Sequence, residues 1–364
     1  MADSARPTAQ GPSTRLVLSI IRFIATIIAL IFAFIIIGNK NIPTIINTIL
    51  VLFVGIGGIW LFYWTGNSVA EQISEKKREK IVGYFYVFPA LFMLGIYLVY
   101  PAFRTIFLSF FDRTGDIFLG LQNYIYIFSN PRMHTVLRNT FLWVIIVPIV
   151  TVALGLTVAV ITDKLRATAE KMFKACIFLP MAISFVGASI IFRFIYYKSP
   201  FGEEIGLLNA IRQAGGNESI AWLIQEPWNN FFLMFIMIWL LTGFAMVILS
   251  AAIKNVPAEL HEAAKIDGAN VFRIFFQITI PYIRNTLIMV LTTILFMVLK
   301  AFDVVFVMTS GDYNTDVVAS AMYDQTFQQG NFGTGSALAV LLFIVVLPFV
   351  IQNIRNMKNI GGQL

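Results

Sequence analysis

Cysteine, histidine and charged residues are all scarce in this chain of 364 residues. Cys176 is the single cysteine, so the chain forms no internal disulfide. The two histidines, His134 and His261, lie far apart in the sequence and give no indication of a metal site. Charged residues make up 12% of the sequence and hydrophobic residues 58%, whereas a soluble domain carries about 25% charged residues. The composition therefore indicates a membrane protein.

Long apolar segments dominate the rest of the sequence. A helix needs about 20 apolar residues to cross a bilayer, and only helices or closed barrels can cross, because unpaired backbone groups are too unfavourable in hydrocarbon. The apolar runs are continuous rather than alternating, which predicts helices. We expect an all-α membrane protein with eight transmembrane helices, near residues 16–38, 43–64, 81–103, 139–162, 175–195, 230–252, 285–309 and 334–354.

The polar segments between these runs predict orientation and domain organisation. Lys and Arg concentrate in alternate connections, and this bias predicts that both termini lie in the cytoplasm. Because the basic residues are spread over several loops, the expected partner is membrane lipid and not nucleic acid. A polar linker is predicted to separate residues 1–80, a cytoplasmic N-terminus plus two extra transmembrane helices, from a six-helix core, 81–364, that contains a loop at 254–281.

The connection before the seventh predicted span is polar and rich in small residues, "EAAKIDGANVFRIFFQITIP" (262–281). Pro257 suits the first turn of a helix, where its missing N–H is no loss, and Gly268 can adopt the positive φ that ends one. The sequence thus predicts a short helix over 257–266, a turn, a second helical segment and a break at Pro281. The small residues allow close approach by another surface, although a stiff cytoplasmic connector is the alternative.

This stretch resembles the EAA loop in the membrane subunits of binding-protein-dependent ABC importers. The resemblance extends over roughly residues 81–354: "YVFPALFMLGIYLVYPAF" is similar to sugar importers of the maltose type, and residues 299–343 most resemble the α-glucoside permeases. Ser310-Gly311-Asp312 departs from the Gly-Gly-Pro common in sugar permeases, which indicates different substrate or partner contacts there. The EAA loop is matched by Glu262-Ala263-Ala264, Asp267-Gly268-Ala269 and Ile278-Thr279-Ile280-Pro281.

The resemblance implies a type I ABC importer permease fold in a prokaryotic cytoplasmic (inner) membrane. The short helix of the loop would be a coupling helix seated in a cleft of an ATPase subunit, with Glu262 as its main polar contact. The implied partners are a second homologous permease subunit, two ATP-binding cassette ATPase subunits and an extracytoplasmic sugar-binding protein. The residues assigned to ATPase coupling are Glu262, Ala263, Ala264, Asp267, Gly268, Ala269 and Pro281.

A nucleotide-binding motif is absent from the sequence. The chain lacks a Gly-x4-Gly-Lys-Ser/Thr loop, which cradles phosphates, and contains no Gly-Lys dipeptide. We therefore expect a transport subunit and not an enzyme, with no catalytic residues, metal or cofactor in this chain. ATP and Mg would be bound by the partner ATPases.

The same resemblance places substrate contacts on the fifth, sixth and seventh predicted spans. For the apolar members, helix packing is the alternative explanation. A buried acid is unfavourable unless it is paired, solvated or used, so for Asp303 the alternative is a structural pair with Lys300. The predicted pathway residues are Met181, Ser184 and Phe185, then Leu241, Thr242 and Phe244, and finally Val298, Ala301 and Asp303.

An ion- or proton-coupled secondary transporter is the alternative function. Such carriers use intramembrane acids and internal repeats. Asp303 is the evident intramembrane acid, with Lys300 three residues before it, and no internal repeat is visible. The sequence therefore favours the ABC permease, whose cargo is expected to be an α-glucoside or oligosaccharide handed over by the binding protein.

Overall fold

The computed structural model describes residues 12–38, 43–73, 75–201 and 203–361. The predicted cytoplasmic N-terminal segment up to residue 11 lies outside these ranges. Within them the regular structure is helical, apart from one isolated β-bridge between Phe111 and Phe118. The chain divides into two compact units, Met1–Ala102 and Phe103–Leu364.

Aromatic side chains hold the first unit together. The ring centroids of Phe62 and Phe85 are 5.1 Å apart, and Phe23 lies 5.3 Å from Phe62. Such pairs contribute packing energy between helices. This matters in lipid, because an apolar side chain is as stable against lipid tails as against another helix. The helices of this unit are α1 (Pro12–Ile37), α2 (Thr44–Ala70) and α3 (Glu75–Leu94), which continues through a π-helical turn, Gly95–Val99, into α4 (Tyr100–Leu108) at the unit boundary.

The second unit contains the remaining helices. They are α5 (Gln122–Ser129), α6 (Pro131–Asp163), α7 (Ala167–Phe178), α8 (Phe185–Ile195), α9 (Leu207–Ala214), α10 (Trp228–Lys254), α11 (Ala258–Ile266), α12 (Val271–Ile274), α13 (Ile280–Tyr282), α14 (Arg284–Leu299), α15 (Asp303–Thr309), α16 (Val318–Tyr323) and α17 (Phe332–Gly361). Two long helices, α6 and α10, form the centre of the unit, and a third long helix, α17, ends it.

Six helical segments in the described ranges are long and apolar enough to cross a membrane, and two bent pairs raise the number to as many as eight. The expectation of an all-α protein with eight spans is confirmed when each bent pair is counted as one span. The unbroken segments are Thr14–Ile37, Thr44–Ala70, Val82–Leu108, Pro131–Asp163, Trp228–Lys254 and Phe332–Gln352.

The two remaining spans are broken. In the fifth, Ala167–Ala182 and Phe185–Ile195 meet at 99°. At the seventh, Val271–Tyr282, which belongs to the predicted loop, and Arg284–Leu299, which starts the predicted span, meet at 70° next to the predicted break at Pro281. Proline cannot donate to the helical ladder, which allows the chain to bend there.

The expectation of one continuous helix over 285–309 is wrong. Helix α14 ends at Leu299 and α15 begins at Asp303. The N–H of Lys300 bonds to the carbonyl of Met297 at 3.3 Å and that of Ala301 to Val298 at 2.9 Å. These i→i−3 bonds tighten the last turn and end the helix.

Close packing of α6 against α10 forms the centre of the second unit. A Cβ atom at Gly155 would lie 2.5 Å from the Cβ of Ala245 and 2.9 Å from the backbone nitrogen of Met246. Small residues at such contacts let two backbones approach, which is how membrane helices gain van der Waals energy. Buried Trp143 of α6 also donates its indole N–H to Asn230 of α10, at 3.2 Å.

Three asparagines anchor the loop that follows α15. Asn139 donates to the carbonyl oxygens of Asn314 (2.7 Å) and Asp316 (2.9 Å). Asn229 donates to Tyr313 at 2.7 Å, and Asn230 donates to Asn314 at 3.2 Å. Left-handed backbone at Ser310, Tyr313 and Asn314 turns this loop sharply.

Candidate coupling loop and substrate pathway

The polar loop between α10 and α14 has the predicted helix and turn. Helix α11 begins after Pro257 and ends at Ile266, and Gly268 has φ +76°. The N–H of Gly268 bonds to Lys265 at 3.1 Å and the N–H of Ala269 bonds to Ala264 at 2.9 Å. This pair of bonds is a Schellman ending, which satisfies the last helical carbonyls through a residue of positive φ.

The second arm of the loop is fixed to the first. The Asn270 side chain accepts from the backbone N–H of Arg273 at 2.8 Å and caps α12. A π-helical turn follows over Phe275–Thr279. His261 of α11 lies 3.3 Å from the hydroxyl of Thr279, which ties the two arms together. The loop is therefore a stiff helix–turn–helix.

The tip of this loop is exposed. Glu262, Lys265 and Asp267 are exposed and form no ion pair within 4.0 Å with another described residue. Beside them lie Ile266 and Phe272, 86% and 75% exposed. Exposed apolar residues rimmed by charge mark an interaction surface. The sequence assigned the contact to charged and small residues of the loop, and Ile266, the last residue of α11, was not among them.

The predicted pathway residues of the fifth span gather at its 99° bend. Met181 lies in a 3₁₀ turn, Leu179–Ala182, that follows α7. The Ser184 hydroxyl accepts from the N–H of Gly187 at 3.0 Å and caps α8, whose first residue is Phe185. The Ser184 hydroxyl oxygen thus stabilises the bend, and the hydroxyl proton stays available for another acceptor.

The structure brings Phe185, Ala301 and Asp303 together around one cavity. Its volume is about 10 Å³, which is space for a single water. Met237 and Met297 also line it. No sequence signal distinguished these methionines from packing residues. A sugar ring does not fit this cavity in the present conformation.

The predicted pathway residues of the sixth span do not line this small cavity. Leu241 is 2% exposed and packs in the core with Val298 of the seventh span, and the partly buried Phe244 packs against that core. Thr242 donates its hydroxyl to the carbonyl of Ile238 at 2.6 Å. It lines a separate cleft, beside Cys176 and Trp239. The predicted residues therefore do not form one continuous site in this conformation.

Asp303 is partly buried at the start of α15. Among the ion pairs of the described residues, none joins Asp303 to Lys300. The structural pair considered as an alternative is therefore not formed in this conformation. Both side chains line the small cavity instead.

The sequence model of the binding-protein-dependent transport system inner membrane component family matches residues 127–357. This chain belongs to that family. It is 52% identical over 274 residues to the osmoprotective compounds uptake permease protein GgtC of Synechocystis sp., across 75% of this chain and 98% of the relative. It is 43% identical over 333 residues to the alpha-glucoside transport system permease protein AglF of Rhizobium meliloti, across 87% of this chain and 98% of the relative.

The fold has a counterpart among solved structures. The bacterial alginate ABC transporter in complex with alginate pentasaccharide-bound periplasmic protein contains a chain that matches with a TM-score of 0.67 and 20% identity. The match covers 78% of this chain and 96% of that one. The chain is therefore a multi-pass inner-membrane transport component with an ABC importer permease fold, as the EAA-like motif predicted. The secondary transporter is not favoured.

Proposed function

We propose that this chain is the permease subunit of an ATP-driven ABC importer for an α-glucoside. The observation that carries the proposal is the 43% identity to AglF across 98% of that α-glucoside permease. The name of the relative GgtC refers to the uptake of osmoprotective compounds, and this also supports a related cargo. The two descriptions are compatible, because sucrose is an α-glucoside and also an osmolyte.

The proposed partners follow from the same family. In the alginate transporter a periplasmic protein carries the oligosaccharide to the complex. An external binding protein would likewise deliver cargo to this chain, which would pair with a second, homologous permease. Two ATPase subunits would bind ATP and Mg, and one of them would receive the exposed tip around Glu262 and Ile266.

Transport requires the small cavity to open. Phe185 enters it from the bend of the fifth span, while Ala301 and Asp303 enter it from the break between α14 and α15. Breaks of this kind are hinge positions, since they absorb backbone rotation without disturbing the helices on either side. Movement at either break would enlarge the cavity and admit the cargo next to the Asp303 carboxylate.

Replacing Asp303 by asparagine tests both the cargo and the site. A hydrogen bond from a sugar hydroxyl to a carboxylate contributes about 1.5–3 kcal/mol. Its loss should reduce import of labelled sucrose or another α-glucoside roughly tenfold to a hundredfold, while the complex still assembles. Asp116→Asn, which removes an exposed carboxylate from a loop, is the matched control.

The wild-type complex provides the direct test of the cargo. Absence of α-glucoside uptake by cells that make the complete complex would contradict the proposed function. Normal uptake in Asp303→Asn would show that the Asp303 carboxylate is not part of the substrate pathway, and it would leave the proposed cargo unaffected. Loss of the assembled complex would instead indicate a structural role.

A cytoplasmic location of both termini is also proposed, on the bias of Lys and Arg. It places α11 on the side where ATP is available. Reporter fusions after residues 70, 168 and 260 should all give a cytoplasmic signal. An external signal at any of the three would overturn the orientation.

A further inference from the structure

Helices α7 and α10 are joined by a charged cluster near the end of α10. The Glu170 carboxylate accepts from the ammonium groups of Lys174 and of Lys254, the latter at 2.5 Å. Lys174 also donates to the hydroxyl of Ser250. The Glu170 and Lys174 side chains are only 13% and 19% exposed. The Glu170 carboxylate thus lies between two cations, of which Lys174 is largely buried and Lys254 is 49% exposed and also interacts with Asp163.

A second contact joins the same two helices at the opposite end of α7. A Cβ atom at Gly243 would lie 2.5 Å from the carbonyl oxygen of Ile177 and 2.7 Å from the Cα of Phe178. The α10 backbone therefore rests directly on the α7 backbone. Any side chain at this position would separate the two helices.

The two contacts fix the helices as one body. Gly243 meets Ile177, while Ser250 and Lys254 meet Lys174 and Glu170, so the helices run antiparallel. The contacts span about three turns of α10. Fixing a helix at two separated points prevents both sliding and tilting.

This pair of helices lies between the two parts of the proposed mechanism. Helix α10 ends at Lys254, and only three residues separate it from α11. Helix α7 leads through its 3₁₀ turn to the bend at Ser184, where Phe185 enters the small cavity. A displacement of α11 that moves the end of α10 is therefore passed to the bend.

We propose that Glu170 is a positioning residue for coupling: it makes α7 follow α10, so that movement of α11 reshapes the bend at Ser184. The inference rests on the proposed importer function. Glu170 touches neither cargo nor nucleotide. Its role is to neutralise Lys174 and Lys254, which would otherwise repel each other and let α7 separate from α10.

Glu170→Gln in the complete reconstituted transporter tests the proposal. Sugar imported per ATP hydrolysed should fall roughly threefold to thirtyfold, the range expected for a residue that modulates coupling between distant sites. ATPase pull-down should remain at the wild-type level, because the α11 tip is unchanged. Glu203→Gln, at an exposed position in the loop between α8 and α9, is the control for charge removal. An unchanged coupling ratio in Glu170→Gln would refute the role of Glu170.

A charge exchange distinguishes electrostatics from shape. Glu170→Lys alone places three cations together and should abolish coupled import. Combining it with Lys254→Glu again leaves one carboxylate between two lysines, and should restore import to within about threefold of wild type if the interaction is pairwise. Failure of the double variant to recover, with the complex intact, would count against the charged cluster.

A cross-link tests whether the two helices move together, with import by the same double-cysteine variant before cross-linking as the reference. Lys174→Cys and Ser250→Cys, in a Cys176→Ser background, can be joined by a short bis-maleimide. Import should continue after cross-linking, because α7 and α10 already move together. Arrest of import would show that the helices slide against each other, which overturns the proposal. If the wild-type complex itself imports no sugar, the importer function fails instead.

Discussion

Replacing Gly268 by valine is expected to uncouple ATP hydrolysis from sugar import while the membrane helices remain inserted. The glycine has φ +76°, and a Cβ atom there would meet no heavy atom within 4 Å. The substitution is therefore unfavourable because of backbone strain and not because of steric contact. A residue held at such a backbone conformation costs about 1–3 kcal/mol, and the cost is larger for a β-branched residue. Relief of that strain would unwind the Schellman ending and displace the exposed tip of α11.

Gly216 offers a matched control for this strain. It also has φ +76° and open space around its Cβ position, but it lies in the loop after α9. Gly216→Val should strain its loop equally and leave ATPase pull-down unchanged. Gly268→Asn should retain most coupling, since asparagine tolerates left-handed backbone.

Glu262→Ala gives a second measure of the same surface. A lost charged contact of about 1.5–3 kcal/mol would weaken docking roughly tenfold to a hundredfold. ATPase pull-down and sugar uptake should be measured side by side. Normal values of both in Glu262→Ala and Gly268→Val would refute the coupling-helix assignment.

Gly155→Ala should lower the thermal stability of the subunit markedly. Its new Cβ would lie 2.5 Å from that of Ala245 and 2.9 Å from a backbone nitrogen, so α6 and α10 must move apart. Overpacking of this kind costs about 1–3 kcal/mol. The unfolding midpoint of the detergent-solubilised subunit measures the change.

Gly57→Ala is the comparison for Gly155→Ala. Gly57 also lies within a membrane helix, but nothing is within 4 Å of its Cβ position. Alanine favours helix by roughly 1 kcal/mol over glycine, so this variant should be neutral or stabilising. Equal stability of the two variants would contradict the close α6–α10 contact.

The sequence contained enough information to predict the spans and the polar loop. Hydrophobic length is a strong signal in a bilayer, and Pro257 and Gly268 mark helix ends through their own backbone constraints. The bend at Ser184 and the break after Leu299 were not predictable in the same way. Both lie inside continuous apolar runs, and the bonds that stabilise them, to the Ser184 hydroxyl and to the carbonyls of Met297 and Val298, leave no mark on the hydrophobic pattern.

Contacts between helices were equally inaccessible to sequence reasoning. The spacing of Glu170 and Lys254 along the chain says nothing about which helices pack together. Asp303 was identifiable, because an acid at membrane depth is conspicuous in any sequence. Met237 and Met297, which share its cavity, resemble every other apolar residue of their helices.

The asparagine anchors of the loop after α15 determine which of its residues are free to vary. Asn139, Asn229 and Asn230 bond to its main-chain oxygens only, so the anchors do not depend on the loop's own side chains. Gly311 is constrained, because a Cβ atom there would lie 2.9 Å from the Asp316 carboxylate. Exposed Asp312 carries no such restriction, whereas Ser310, with φ +55°, is limited to residues that tolerate left-handed backbone. Relatives can therefore diversify this surface, and protein engineers can graft new residues onto it, while the scaffold beneath keeps its shape.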